Sequence, residues 1–193
     1  GCYKNLRTAN ESLQANATLR AQINEVLSQP VEGAIQVKHP LYIITEDIGL
    51  EALSQYAGAL AGLKVAPYYG CVITRPAGQQ PVDDPENPQA LDHLLRALGA
   101  DVVDYYPWKT KCCGGGVLLS HTEVALDLTG VLLSEAKQAG AQCLAVACPM
   151  CQMVLDTYQY KIEKRMKQRF DLPILYFTQL MGIALDIDRR QLG

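Results

Sequence analysis

The chain has 193 residues, 49% of them apolar and 19% charged, with a formal net charge of −3. That length buries a real core in one domain or one domain plus a fragment, and the lack of any lysine- or arginine-rich block excludes the charge footprint of a nucleic-acid or anionic-membrane binder. No apolar run reaches the roughly 18 residues of a membrane span and no signal-peptide pattern opens the chain, so no membrane-spanning segment is expected.

In chain order, Lys4 to Leu27 reads as helical, Ala34 to Val37 as a strand, and Pro40 to Ile48 as a further helix. Leu63 to Tyr69 is a short β-rich run ending at Gly70-Cys71, and a polar, proline-rich loop spans Thr74 to Pro85. Asn87-Pro88 reads as a helix cap with proline at the first helical position. Leu91, Leu94, Leu95 and Leu98 then recur at helical spacing, and Gly99 closes the helix. Val102 to Tyr106 is the next predicted strand, leading to Cys112-Cys113-Gly114-Gly115-Gly116. Ser120 and Glu123 form a predicted capping box for a helix that turns Val124, Leu128, Val131 and Leu132 inward and stops at Gly140. Cys143 to Ala147 is a third buried strand with Cys148 at its end, Met150 to Arg169 one long amphipathic helix, and Ile174 to Phe177 a fourth strand before a helix capped by Thr178.

Strands alternating with helices predict an α/β fold, a Rossmann-like parallel sheet flanked by helices. Such sheets bind ligands beyond the carboxyl ends of their strands. Cys71 and Cys148 fall at two such ends, and Cys112-Cys113 lies in the loop leaving a third. Cys71, Cys112, Cys113, Cys148 and Cys151 are therefore expected to meet in one crevice.

Seven cysteines without a secretory signal point to metal ligands in a reducing compartment, with the cytoplasm as the expected location, rather than to a disulfide framework. Vicinal cysteines do not readily bridge each other, and five thiols exceed the four of a tetrahedral zinc site. Soft sulfur ligands at this density point first to iron and sulfide, with the fifth thiolate free to bridge two irons. A structural zinc site using four of the five stays open, as does a thioredoxin-like dithiol at Cys148-Pro-Met-Cys151. Gly114 to Gly116 allows close backbone approach and offers N–H groups to sulfur or an anion, and it lacks the spacing of a phosphate loop. Cys143 reads as a core residue inside its strand, and His39, His93 and His121 show no ligand spacing. Arg75, Lys109 and Lys111 flank the cysteine loops as candidates to offset negative charge or hold an anion, solvated loop charge being the default. No flavin or nicotinamide fingerprint is present, so electrons are expected from another protein.

The cysteine pattern, together with Tyr69-Gly70-Cys71, Arg75-Pro76, Asp83-Asp84-Pro85-Glu86-Asn87-Pro88, Leu98-Gly99-Ala100 and Glu46-Asp47-Ile48-Gly49, resembles the CCG cysteine-rich domain of the heterodisulfide reductase B-subunit family over essentially the whole chain. Gly1-Cys2-Tyr3 resembles the end of a first CCG motif. The resemblance implies a non-cubane 4Fe-4S cluster held by Cys71, Cys112, Cys113, Cys148 and Cys151, and Cys2 as the last ligand of a second cluster completed by residues missing here. It implies a complete lobe at 59–193, preceded at 1–58 by the helix–strand–helix tail of a related lobe, so that the chain corresponds to the C-terminal part of such a protein. The opening Gly1-Cys2 in place of Met fits either an artificial start or the downstream part of a longer polypeptide. The implied activity is reduction or formation of a disulfide or other sulfur–sulfur bond, with electrons exchanged through C-type iron–sulfur and A-type flavin subunits, the chain alone being incomplete for catalysis. The spacer of 40 residues after Cys71 is long for the family and the glycine stretch is short. The alternative is a non-catalytic CCG module that holds zinc or a conventional cluster for electron relay.

Overall fold

A computed structural model describes residues 2–75 and 83–192, apart from the side chain of Ser54. Gly1, Pro76 and most of the expected Thr74 to Pro85 loop lie outside the described residues. Four strands, β1 (Lys64–Tyr68), β2 (Asp101–Val102), β3 (Cys143–Val146) and β4 (Ile174–Tyr176), form one parallel sheet in the order β2-β1-β3-β4. Helices cover both faces, as the strand–helix alternation predicts.

The alternation of side chains along the strands sorts two cores. Val65, Cys143 and Ala145 face Leu91, Leu94, Leu95 and Phe177, whereas Ala66, Tyr68, Leu144 and Val146 face Leu132, Leu133, Leu155 and Ile162. The first core is covered by α5 (Ala90–Ala97) and α9 (Phe177–Ala184), the second by α6 (Thr122–Gln138), α7 (Pro149–Thr157) and α8 (Gln159–Met166). Cys143 is fully inside the first core, and burial pushes its thiol up to about 11. It is a packing residue, as its place in an apolar strand predicts.

Several predicted boundaries move, each for a local physical reason. The second strand stops at Val102 rather than Tyr106. Beyond that point it would have to pair with Pro67, whose backbone faces β2 and has no N–H to offer; the ladder resumes only where Tyr69 N–H donates to the Lys109 carbonyl at 2.9 Å. Helix α5 begins after Gln89, not Asn87, because the Asp83 carboxylate accepts from the N–H groups of Gln89 and Ala90 at 2.8 Å each. Asn87 instead closes a turn on Asp84.

The Ser120–Glu123 capping box does not form. His121 precedes the helix, and Glu123 pairs with Arg165 of α8. The buried stripe of α6 is accordingly Ala125, Leu126, Thr129, Leu132, Leu133 and Ala136; Val124 is exposed, and Leu128 and Val131 are half-buried. The expected long helix at Met150 to Arg169 breaks at Tyr158, where Gln159 clips both the N–H and the carbonyl of Leu172. The last helix starts at Phe177, with the Gln179 side chain accepting from the Tyr176 N–H.

At the start of the chain the expected single helix is split by Asn16, which caps the second piece through Leu19 N–H, into α1 (Cys2–Ala15) and α2 (Ala17–Val26). Residues 34–37 form no strand; the Asn10 side chain donates to the Ile35 carbonyl there. A short helix α3 (Pro40–Tyr42) continues through a π-helical turn, Ile43–Gly49, and a 3-10 stretch, Leu50–Tyr56. Leu41, Tyr42, Leu53 and Leu60 pack into the first core.

Candidate metal centre

The site follows from the strand order. The chain leaves central β1 for β2 on one side and reaches β3 on the other, so the loops after β1 and β3 diverge and open a crevice at the carboxyl edge. Register puts Tyr68 of β1 level with Val146 of β3, which brings the Cys71 turn and the Cys148 turn face to face.

Each turn has a local cause. Gly70, at φ +71°, opens the short helix α4 (Gly70–Thr74) that carries Cys71; a side chain at Gly70 would place its Cβ 3.2 Å from Cys151 Sγ. Cys148 precedes α7 with Pro149 at its first position, and Cys151 follows one turn later on the same face. Gly114, at φ +80°, reverses the chain after the vicinal pair, so that Gly114 N–H points to Cys112 Sγ at 3.3 Å and Gly115 N–H to Cys113 Sγ at 3.4 Å. The Thr129 hydroxyl holds the Cys113 carbonyl to α6 at 2.7 Å.

The sulfurs lie along the crevice in neighbouring pairs. Cys113 Sγ is 3.3 Å from Cys151 Sγ, Cys148 hydrogen-bonds Cys151, and Cys71 lies beside Cys112. Cys71, Cys112, Cys113, Cys148 and Cys151 are thus linked through neighbouring pairs. Among the described residues no three Cys, His, Asp or Glu side chains close on a single point as one metal ion requires. The donor set is sulfur only and carries two backbone N–H groups aimed at sulfur, the pattern that suits a group with several metal and sulfide atoms.

The thiols do not titrate alike. The Cys151 hydrogen bond, against the opposing effect of burial and with help from the N–H groups of Cys151 and Met150, draws Cys148 down to about 5. Hydrogen bonding to Cys151 lowers Cys113 to about 7, whereas burial and the neighbouring Cys112 lift Cys71 to about 11. Cys151 itself, hydrogen-bonded to Cys113 and Cys148, is held firmly protonated. In the metal-free chain, alkylation by iodoacetamide, followed by peptide mass spectrometry, is expected to lose half its rate at Cys148 only near pH 5. At Cys71 the rate is expected to keep rising to pH 11. Equal midpoints would contradict this.

Cys2, the first residue of α1, is exposed and shares with Cys148 a cavity of about 180 Å³. Tyr3, His39, Val72, Ile73 and Tyr176 complete most of its wall. The wall is held at the Ala147 carbonyl, which accepts from Tyr176 at 3.2 Å and hydrogen-bonds His39. His39 Nδ1 accepts from the Leu41 N–H at 3.2 Å, so the ring meets Ala147 through its other nitrogen, and burial draws its pKa down to about 4. Ligand spacing gave no reason to single out His39 or Tyr176; their roles are set by packing against the strand end.

Of the three flanking cations, two are tied to partners within the protein. Arg75, at the surface, pairs with Glu86 and donates to the Thr110 carbonyl, and Lys109 is buried against Asp92. Lys111 is exposed. His93 and His121 are exposed on helix starts away from any ligand set. No helix among the described residues is long and apolar enough to cross a membrane.

A family profile described as a cysteine-rich domain, CCG, matches residues 65–156, the span that contains all five thiols. Over the whole chain the sequence is 32% identical to the B subunit of the ferredoxin:CoB-CoM heterodisulfide reductase of Methanosarcina mazei, covering 66% of that protein. It is 31% identical to the 8-methylmenaquinol:fumarate reductase membrane anchor subunit of Wolinella succinogenes, covering 67% of it. Over 97% of the chain it is 30% identical to a protein of Archaeoglobus profundus described as like the heterodisulfide reductase B subunit, covering 65% of that one. The chain spans about two thirds of the length of these relatives. By its sulfur-lined crevice, its CCG profile and these relatives, the chain belongs to the heterodisulfide reductase B-subunit family of CCG cysteine-rich proteins.

Proposed function

We propose that this chain is the iron–sulfur core of an oxidoreductase subunit that makes or breaks a disulfide or related sulfur–sulfur bond. The reading is supported by thiols of three adjacent loops lying in neighbouring pairs, with the Gly114 and Gly115 N–H groups turned toward sulfur. Cys71, Cys112, Cys113, Cys148 and Cys151 hold one non-cubane 4Fe-4S cluster, which when bound supplies single electrons and iron sites with affinity for sulfur. Two N–H donors at the thiolates make the bound state easier to reduce.

Cys2 belongs to a second site, completed by a related lobe outside the residues of this chain. On this reading 1–58 is the tail of one lobe and 59–193 a complete one. The support is a partial repetition: α1–α2 from Cys2 and α7–α8 around Cys151 are both split helices, although no strand stands at 34–37 where β4 follows α8. The cavity between Cys2 and Cys148 receives the sulfur–sulfur bond. The balanced reaction is one disulfide plus two electrons and two protons giving two thiols. His39, kept neutral by burial, and Tyr176 form the wall of the cavity on the Ala147 side. Electrons are exchanged through C-type iron–sulfur and A-type flavin partner subunits, in the cytoplasm.

The relative that serves as a fumarate reductase anchor subunit favours one other reading: a non-catalytic CCG module, holding zinc or a conventional cluster for electron relay. Anaerobic metal and sulfide analysis separates a cluster from zinc, and the electron paramagnetic resonance signal separates a non-cubane from a conventional cluster. About four irons and four sulfides per chain are expected; one zinc without sulfide overturns the cluster reading.

A further inference from the structure

Beneath the site, the Cys71 turn and the loop carrying Cys112 are joined by a buried ion pair that the thiol chemistry does not use. Lys109 lies three residues before Cys112 and is 8% exposed; Asp92, in the first turn of α5, is 2% exposed. Lys109 Nζ donates to the Pro88 carbonyl at 2.7 Å and lies 3.4 Å from Asp92 Oδ1. The other carboxylate oxygen accepts from the Tyr69 hydroxyl at 2.5 Å, two residues before Cys71. That hydroxyl in turn accepts from the N–H groups of Leu91 and Asp92 at 2.8 and 3.1 Å. The main chain closes the circuit, with Tyr69 N–H donating to the Lys109 carbonyl at 2.9 Å. Above it, the Tyr68 hydroxyl reaches the Lys111 carbonyl at 2.7 Å and Arg75 the Thr110 carbonyl at 3.2 Å.

A buried ion pair is a poor source of net stability, because desolvation offsets its attraction and an apolar pair of similar volume often does as well. What such a pair enforces is a single register, since either charge left alone in the core is costly. Here the pair ties the start of α5, beside the Cys71 turn, to the 3-10 turn at Pro107–Thr110.

We propose that Lys109, Asp92 and Tyr69 are positioning residues that set the spacing of Cys71 from the Cys112-Cys113 pair, and so decide whether the five thiols close on one group. The cluster reading supplies what the thiols hold; the spacing belongs to the metal-free chain and is tested there. Dibromobimane bridges neighbouring thiols, and peptide mapping of the treated, metal-free full chain reports how much Cys71–Cys112 bridge forms. The Asp92→Asn/Lys109→Met double variant is expected to keep the thermal midpoint yet form about tenfold less of that bridge, as a coupled network predicts. Lys109→Arg, which keeps the charge and donors, is expected to retain bridging. Reconstituted with iron and sulfide, the double variant is expected to give an altered electron paramagnetic resonance signal.

Unchanged bridging in a folded double variant overturns the proposal. If the double variant does not fold, Tyr69→Phe decides, since it removes one hydroxyl: reduced bridging supports the proposal and unchanged bridging overturns it. A wild-type chain that bridges normally yet binds no iron contradicts the cluster reading alone and leaves the positioning role standing.

Discussion

Replacing Cys151 with serine is expected to lower the iron and sulfide bound per chain by more than about tenfold while leaving the chain folded. Cys151 is the sulfur at which the site meets: Cys113 Sγ is 3.3 Å away, Cys148 hydrogen-bonds it, and Gly70 is bare so that the Cys71 turn can pass it. Serine shortens the reach and exchanges a soft donor for a hard one. The matched control is Cys143→Ala. Cys143 is as buried as Cys151, but it packs within the first core against no other thiol. Its loss is expected to cost about 1 kcal/mol of stability and no iron. Metal analysis and chemical denaturation of both variants check the pair. Equal iron loss in the two would mean that burial, not ligation, is being measured.

The second large effect is expected at Gly114→Ala. The residue stands at φ +80°, where a side chain costs about 1–2 kcal/mol, and its Cβ would lie 2.7 Å from the Cα of Ala125 in α6. Backbone cannot swing away as a side-chain tip can, so overpacking adds about 1–3 kcal/mol. The total is about 2–5 kcal/mol, read from urea denaturation of the metal-free chain, together with reduced metal loading because Cys113 is displaced. Gly116→Ala is the contrast: nothing lies within 4 Å of its added Cβ, and the expected change is within about 0.5 kcal/mol. A glycine run that looks uniform in sequence thus holds one indispensable member and one that is free.

What could be read from sequence was what local chemistry determines. Strand ends at Tyr69, Ala147 and Phe177 fall within a residue or so of the observed β1, β3 and β4, because short apolar runs bounded by glycine, cysteine, proline or threonine leave little choice. Placing the thiols at those ends followed from the handedness of strand–helix–strand units. The misplaced features depend on residues distant in sequence. Pro67 truncates β2 from the neighbouring strand, Asp83 caps α5 from a loop, and Arg165 draws Glu123 out of its expected box. Lys109 reads as a loop cation because its counter-ion, Asp92, is on a helix 17 residues earlier. His39 joins the site through the Ala147 carbonyl, a contact that no spacing rule anticipates.

The most direct test is anomalous diffraction at the iron edge from crystals grown without oxygen. A single compact iron centre is expected between the loops at residues 70–74, 112–115 and 148–151, bonded to all five sulfurs. An iron signal absent from that crevice, or zinc held by four of the thiols with the fifth turned away, would contradict the account.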